Sequence, residues 1–188
     1  DITQRIRAEE ALKISEQRFR TLIEKSSDIL LLVSANSELL YVSPAVETIL
    51  GYTPEEFASL DRFSIVHPDD LDGLMAQVRW SMDHPGEVIE GEHRVQHKDG
   101  SWRTFRRILR NLLHDPAINA MVSNLSDITE HKLAEEELRI SERLFFNAFH
   151  VGPAGMVITR ITDGKFMDAN ESFCHMFEFE RDEVIGHT

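Results

Sequence analysis

The sequence predicts an α+β domain held between two copies of one helical connector, and three observations carry this. The stretch DITEHKLAEEELRISERLF, residues 127–145, repeats DITQRIRAEEALKISEQRF, residues 1–19, with 11 of 19 positions identical at an offset of 126. Between the copies, apolar residues form strand-length blocks near residue 30 and again after residue 87, the second with period-two alternation. The segments separating those blocks are led by Pro and open with acidic residues, as short helices do.

A repeat one domain length apart marks a connector between globular units, since solenoid repeats recur every ~20–50 residues. Neither copy contains Gly or Pro, and Ala, Leu, Glu, Lys and Arg dominate, so each reads as a helix with Thr3 or Thr129 as its N-cap. In heptad terms the first copy places Arg5, Leu12 and Phe19 at one seam position and Ala8, Ser15 and Leu22 at the other. The second copy gives His131, Leu138 and Phe145 with Ala134, Ser141 and Ala148. A seam this narrow and this often polar suits a short dimeric coiled coil of moderate stability. The plain alternative is a lone amphipathic helix packed on its own domain.

The 188 residues suffice for one or two domains, and a hydrophobic content of 41% builds a core. A net charge of −13 disfavours nucleic acid and anionic membrane as partners, because both need clustered Lys and Arg. The single cysteine, Cys174, leaves no internal disulfide framework and points to a reducing, cytoplasmic setting, where it reads as a small buried thiol. No apolar run approaches the ~20 residues of a membrane span, so no membrane contact is expected. With neither an initiator Met nor a signal-like start, Asp1 reads as a cut within a longer protein.

In chain order, residues 28–34 form a buried-strand pattern and residues 38–43 a second strand across an Ala-Asn-Ser turn. Pro44 opens a short helix that Gly51 stops, and Thr53-Pro54-Glu55-Glu56 starts the next as N-cap, N1 proline and acidic first turn. His67-Pro68-Asp69-Asp70 begins a longer helix reaching about Asp83, with Leu71, Leu74, Met75, Val78 and Met82 on its inner face. From residue 88 the period is two, and the Asp99-Gly100 turn joins a strand over 88–97 to one over 102–112. A last strand over 118–126 runs into the second connector. The order is two strands, several helices, then three strands.

That order, with the segments YVSPAVETILGYTPEEF (41–57), VHPDDL (66–71), HRVQHKDGSW (93–102) and SDITEHKLAEEEL (126–138), resembles a PAS domain with its C-terminal PAC extension, as found in multi-PAS bacterial and archaeal sensory proteins. The resemblance implies a five-stranded antiparallel sheet with short helices and one long helix on one face. It divides the chain into an N-terminal connector over 1–26, a complete PAS domain over 27–127, a connector over 128–150 and the truncated start of a second PAS domain over 151–188. In the last part, Asn170, Phe173, Phe177 and Glu183 lie over Ser43, Val46, Leu50 and Glu56, and Glu178 replaces the usual glycine. Without its own long helix and last three strands, this part is expected to be unable to bury a core alone.

PAS-like domains commonly hold a ligand between sheet and long helix, so known cofactors are tested against the residues. The flavin-photoreceptor cysteine motif is missing, and the long helix carries no histidine for haem iron; His67 reads as a cap and His84 as a surface loop residue. His67, Asp69 and Asp70 read as helix capping rather than a metal site. His131 lacks the following acid and proline of a phospho-accepting histidine and reads as a helix-surface or seam residue. No phosphate loop, nucleophile elbow or HExxH helix occurs, so no enzyme is expected. Arg103, Arg106, Arg107 and Arg110 read as a solvated strand face, with an anion site as the alternative.

Phe57, Phe63, Ile65, Leu71, Leu74, Met75, Val78, Val95, Phe105 and Met121 are the candidate pocket lining, and equally what a hundred-residue domain needs simply to fold. No cofactor is expected, only an unidentified small apolar ligand. Signal is expected to leave through Asp127 and Thr129, which cap the helix start, and along the connector at Leu138 and Phe145. The reading is a sensory PAS module that homodimerises through its connectors and serves neighbouring PAS units and an output domain, by family habit a histidine kinase. The alternatives are a ligand-free dimerisation or spacer module and the sensor part of a cyclic-dinucleotide enzyme.

Overall fold

The computed structural model describes residues 25–188 and, before them, residues 10, 13, 14, 17, 18, 21 and 23. The seam positions of the first connector copy and its Thr3 cap lie outside the described residues. The chain divides into two compact units, within 1–130 and within 131–188.

In the first unit, β1 (Ile29–Val33) and β2 (Leu39–Val42) form the first hairpin, α1 (Ala45–Leu50), α2 (Pro54–Ser59) and α3 (Pro68–Asp83) follow, and β3 (Val88–Gln96), β4 (Trp102–Leu112) and β5 (Ala120–Asp127) complete the sheet. The sheet is antiparallel in the order β2-β1-β5-β4-β3, so the last strand pairs with the first and closes the two hairpins into one surface. β5 begins at Ala120 rather than at Ile118, because Ile118 and Asn119 donate their N–H groups to the Asp115 carbonyl within the preceding turn.

Local chemistry sets the element ends. Thr53 Oγ1 accepts from Glu56 N at 3.3 Å while Glu56 Oε2 accepts from Thr53 N at 3.0 Å, the reciprocal capping box of α2. Gly51 ends α1 at φ 78°, its N–H donating to the Glu47 carbonyl, and a Cβ there would lie 3.0 Å from the His97 ring. Lys98 N donates to the Leu50 carbonyl and Lys98 Nζ reaches Glu56 at 2.7 Å, tying the α1–α2 corner to the β3–β4 turn. The core gathers on one sheet face around Ile29, Val46, Leu50, Phe105 and Leu125, all 5% exposed or less.

In the second unit, α4 (Thr129–Phe146), which starts in the first unit, widens into a π-helical turn at Asn147–Val151 instead of staying α-helical to residue 150. β6 (Val157–Thr159), β7 (Phe166–Ala169), α5 (Glu171–Phe177) and α6 (Arg181–Val184) follow, β6 and β7 pairing antiparallel. Asn170 is fully buried, and its side chain accepts from Met156 N and Phe173 N and donates to the Phe149 and Ala154 carbonyls, all at 2.7–2.8 Å. Glu178 ends α5 at φ 55°, the left-handed conformation that Gly51 adopts in the first unit. Glu183 closes a capping box on Glu180, as Glu56 does on Thr53. Met167, Met176, Phe177 and Phe179 are more than half exposed. Cys174 is half-buried rather than buried.

Candidate functional site: an apolar cavity under the long helix and a strand-to-helix joint

The inner face of the sheet follows from period two. Along β4, Phe105, Arg107, Leu109 and Asn111 point inward and are buried, while Arg106, Ile108 and Arg110 point outward and are exposed. This overturns the reading of the arginines as one solvated face: Arg107 is 6% exposed and Arg103 half-buried.

Helix α3 lies across this face on three polar ties. At its start Asp70 accepts from the Arg94 backbone N–H at 2.8 Å and from the guanidinium through both carboxylate oxygens, at 2.9 and 2.7 Å. That clamp holds the Asp70 carboxyl down at about 2, the side-chain bonds of Arg94 being the main cause. In the middle Gln77 Oε1 accepts from Arg107 Nη2 at 2.7 Å. Near the end the Ser81 carbonyl accepts from Asn111 Nδ2 at 2.8 Å. Residues 70, 77 and 81 share one helix face, two and three turns apart, so the ties form a stripe.

Between the ties lies a cavity of about 120 Å³ lined by residues of β1, α1, α2, α3, β3, β4 and β5, of the β1–β2 turn and of the loop before α3. Phe57, Phe63, Ile65, Leu74, Val78, Val95, Phe105 and Met121 line it, as do Leu31, Val33, Leu50, Val66, Met82, Leu109 and Leu125. Leu71 and Met75 do not. Met75 stands about 100° around the helix from Leu74, and Leu71 sits at the helix end that Asp70 ties to β3; both are half-buried outside the cavity.

The polar lining was missed in the sequence: Ser37, Arg62, His93, Arg107 and Ser123. Burial, with the nearby Arg107 charge, pushes the His93 imidazole down to about 4, and burial brings the Arg107 guanidinium down to about 10. His93 is therefore neutral and Arg107 charged near neutrality. Parity was the available signal, because Arg107 shares the parity of Phe105 and Leu109 and cannot share a face with Arg106.

The exit of the sheet is a second arrangement. Asp127 Oδ1 accepts from Thr129 N at 2.8 Å and from the Thr129 hydroxyl, and Thr129 Oγ1 in turn accepts from Thr104 N of β4 at 2.8 Å. Ile128 N donates to the Thr104 carbonyl at 2.9 Å. Thr129 is thus the first helical residue rather than the N-cap, and its hydroxyl bonds the sheet instead of a helix amide; Asp127 caps the Thr129 amide. Farther along α4, Leu138 is 60% and Phe145 57% exposed. His131 lies on the exposed surface, 3.7 Å from Glu135. His67 Nδ1 accepts from Asp69 N at the start of α3, and His84 stacks on Trp80 at 3.8 Å.

Comparison with known proteins agrees with this architecture. Residues 39–119 match the family model described as PAS fold, and residues 143–188 match one described as PAS domain. A methyl sulfide methyltransferase-associated sensor of Methanosarcina acetivorans is 36% identical over 102 residues, 50% of this chain and 10% of that protein. The sensor histidine kinase TmoS of Ectopseudomonas mendocina is 25% identical over 131 residues, 68% of this chain and 13% of that protein. A sensory box histidine kinase/response regulator structure from Burkholderia thailandensis superposes with a TM-score of 0.52 at 25% identity, covering 68% of this chain and 97% of that one. The chain belongs to the PAS family and carries a PAS sensory domain related to those of sensor histidine kinases and other signalling proteins. It spans under a fifth of the length of these two curated relatives. No helix of the described residues is long and apolar enough to cross a membrane.

Proposed function

We propose that the domain senses a small ligand in the cavity beneath α3 and passes the signal through the Asp127–Thr129–Thr104 joint into α4. The carrying observation is the cavity itself: a spacer domain gains nothing from leaving about 120 Å³ unfilled under its longest sheet-packed helix. Ligand entry shifts β4 and β5 against α3, and the joint converts that shift into a new direction for α4, because the helix start bonds both strands. The module itself transmits rather than catalyses. The parent is a cytoplasmic multi-domain protein, a sensor histidine kinase being the form that TmoS and the Burkholderia relative support. It acts as a homodimer through α4, whose Leu138 and Phe145 form the seam.

The test is a double substitution, Asp127→Ala with Thr129→Ala, in the full-length parent. Losing three hydrogen bonds at a partly exposed joint costs about 1.5–4.5 kcal/mol, within the ~5–15 kcal/mol of an ordinary domain, so the domain stays folded while ligand-dependent output falls to its unstimulated level. Unchanged signalling with a folded domain counts against the route.

A further inference from the structure

The cavity carries a charge asymmetry that its apolar walls conceal. Among the described residues it is lined by two guanidinium groups, Arg62 and Arg107, and by no carboxylate, in a chain of net charge −13. Arg62 is occupied, its Nη2 donating to the Ser37 carbonyl at 2.7 Å. Arg107 is more than nine-tenths buried, its Nε has no hydrogen-bond partner, and no ion pair holds it among the described residues. A buried cation without a counter-ion is costly to a fold, so its retention calls for a partner.

The guanidinium is also held in place. Gln77 Oε1 accepts from Arg107 Nη2 at 2.7 Å, and the Gln77 amide lies against Gly91, where an added Cβ would come within 2.3 Å of its nitrogen. Gly91 is the register partner of Arg107 on the neighbouring strand. Three residues from α3, β3 and β4 thus fix one cation at the cavity wall, and a glycine in mid-strand makes the room. His93 stands beside it as a neutral imidazole, a partner for an anion that adds no second positive charge.

We infer that the ligand is a small apolar monocarboxylate, its carboxylate bonded to Arg107 and its hydrocarbon body packed against Phe57, Leu74, Val78 and Leu109. This rests on the sensory reading of the cavity and names its ligand class. A carboxylate satisfies the fixed guanidinium fork, whereas an alcohol leaves the charge uncompensated and an ammonium is repelled. Phosphate is disfavoured, since it has no apolar body for walls of Phe, Leu and Val. Size follows from volume: a 150 Å³ apolar cavity accepts benzene, which has six non-hydrogen atoms, so about 120 Å³ suits about five, an acid of roughly three carbons.

The experiment titrates the 188-residue chain by calorimetry with propanoate, 1-propanol and propylammonium, which are alike in size and differ in charge. Propanoate is expected to bind at least about tenfold more tightly than 1-propanol, as a charge-assisted bond allows, and propylammonium not at all. Arg107→Gln abolishes the difference. Arg107→Met removes the orphan charge, so without ligand it melts at or above the temperature of the unsubstituted chain and loses stabilisation by propanoate. Equal binding of propanoate and 1-propanol, or a preference surviving in both variants, overturns the carboxylate assignment and leaves the sensory pocket standing. Failure of all three probes to bind the folded chain overturns the sensory pocket itself.

Discussion

His93 is buried on β3, facing Arg107 and Asp70, and its pKa lies at about 4 instead of the ordinary 6.5. Desolvation is the main cause, with the Arg107 charge second and Asp70 opposing both. A base whose pKa is depressed by folding binds fewer protons folded than unfolded between those two values, so stability rises with pH there. The contribution is complete above pH 6.5 and is lost as pH falls toward about 4, a difference of up to about 3 kcal/mol. Melting temperatures across that window should fall with acidification, and His93→Gln should flatten the slope. An unchanged slope in the variant would place the acid sensitivity elsewhere. Asp70, whose carboxyl is held at about 2, acts only at lower pH.

Among the elements, the two short-helix corners form a natural comparison. Each has an αL residue after the first helix and a capping box on the second, but Gly51 fills the first site and Glu178 the second. A side chain at φ 55° costs about 1 kcal/mol over glycine. Glu178→Gly should therefore stabilise the α5 end by about 1 kcal/mol and slow exchange of the Phe179 amide, which bonds the Cys174 carbonyl, about fivefold. Faster or unaltered exchange would mean that the strain is offset by side-chain contacts of Glu178. These corners were legible in the residues, because caps and prolines act locally. The strand-to-helix joint was only partly legible: Asp127 and Thr129 stood out, yet the Thr129 hydroxyl bonds Thr104, 25 positions away.

For the molecule as a whole, α4 buries none of its residues, and Leu133, Leu138, Leu144, Phe145 and Phe146 are each more than half exposed. The proposed dimerisation through α4 would cover such a surface. Sedimentation of the 188-residue chain should give a dimer, and Leu138→Glu with Phe145→Glu a monomer, since buried like charges across a seam oppose association. A monomeric parent chain at micromolar concentration would refute the dimeric seam.

The fold class, the order of elements, the Asp99-Gly100 hairpin and the paired helix corners were determined by the sequence alone, because periodicity, caps and turns are read over a few neighbouring residues. What only the tertiary structure decided was the cavity and its charge. Arg107 has three arginines for company along the chain, and its position beside Phe105 and Leu109 on the inner face became visible only with the strand's parity established. Its meeting with Gln77 and Gly91 depends on how α3 crosses the sheet and on the β3–β4 register, which bring together residues 14 to 30 positions apart. The Asp99-Gly100 turn sets that register locally, whereas the packing of α3 on the sheet, which brings Gln77 to Arg107, leaves no signal in local sequence.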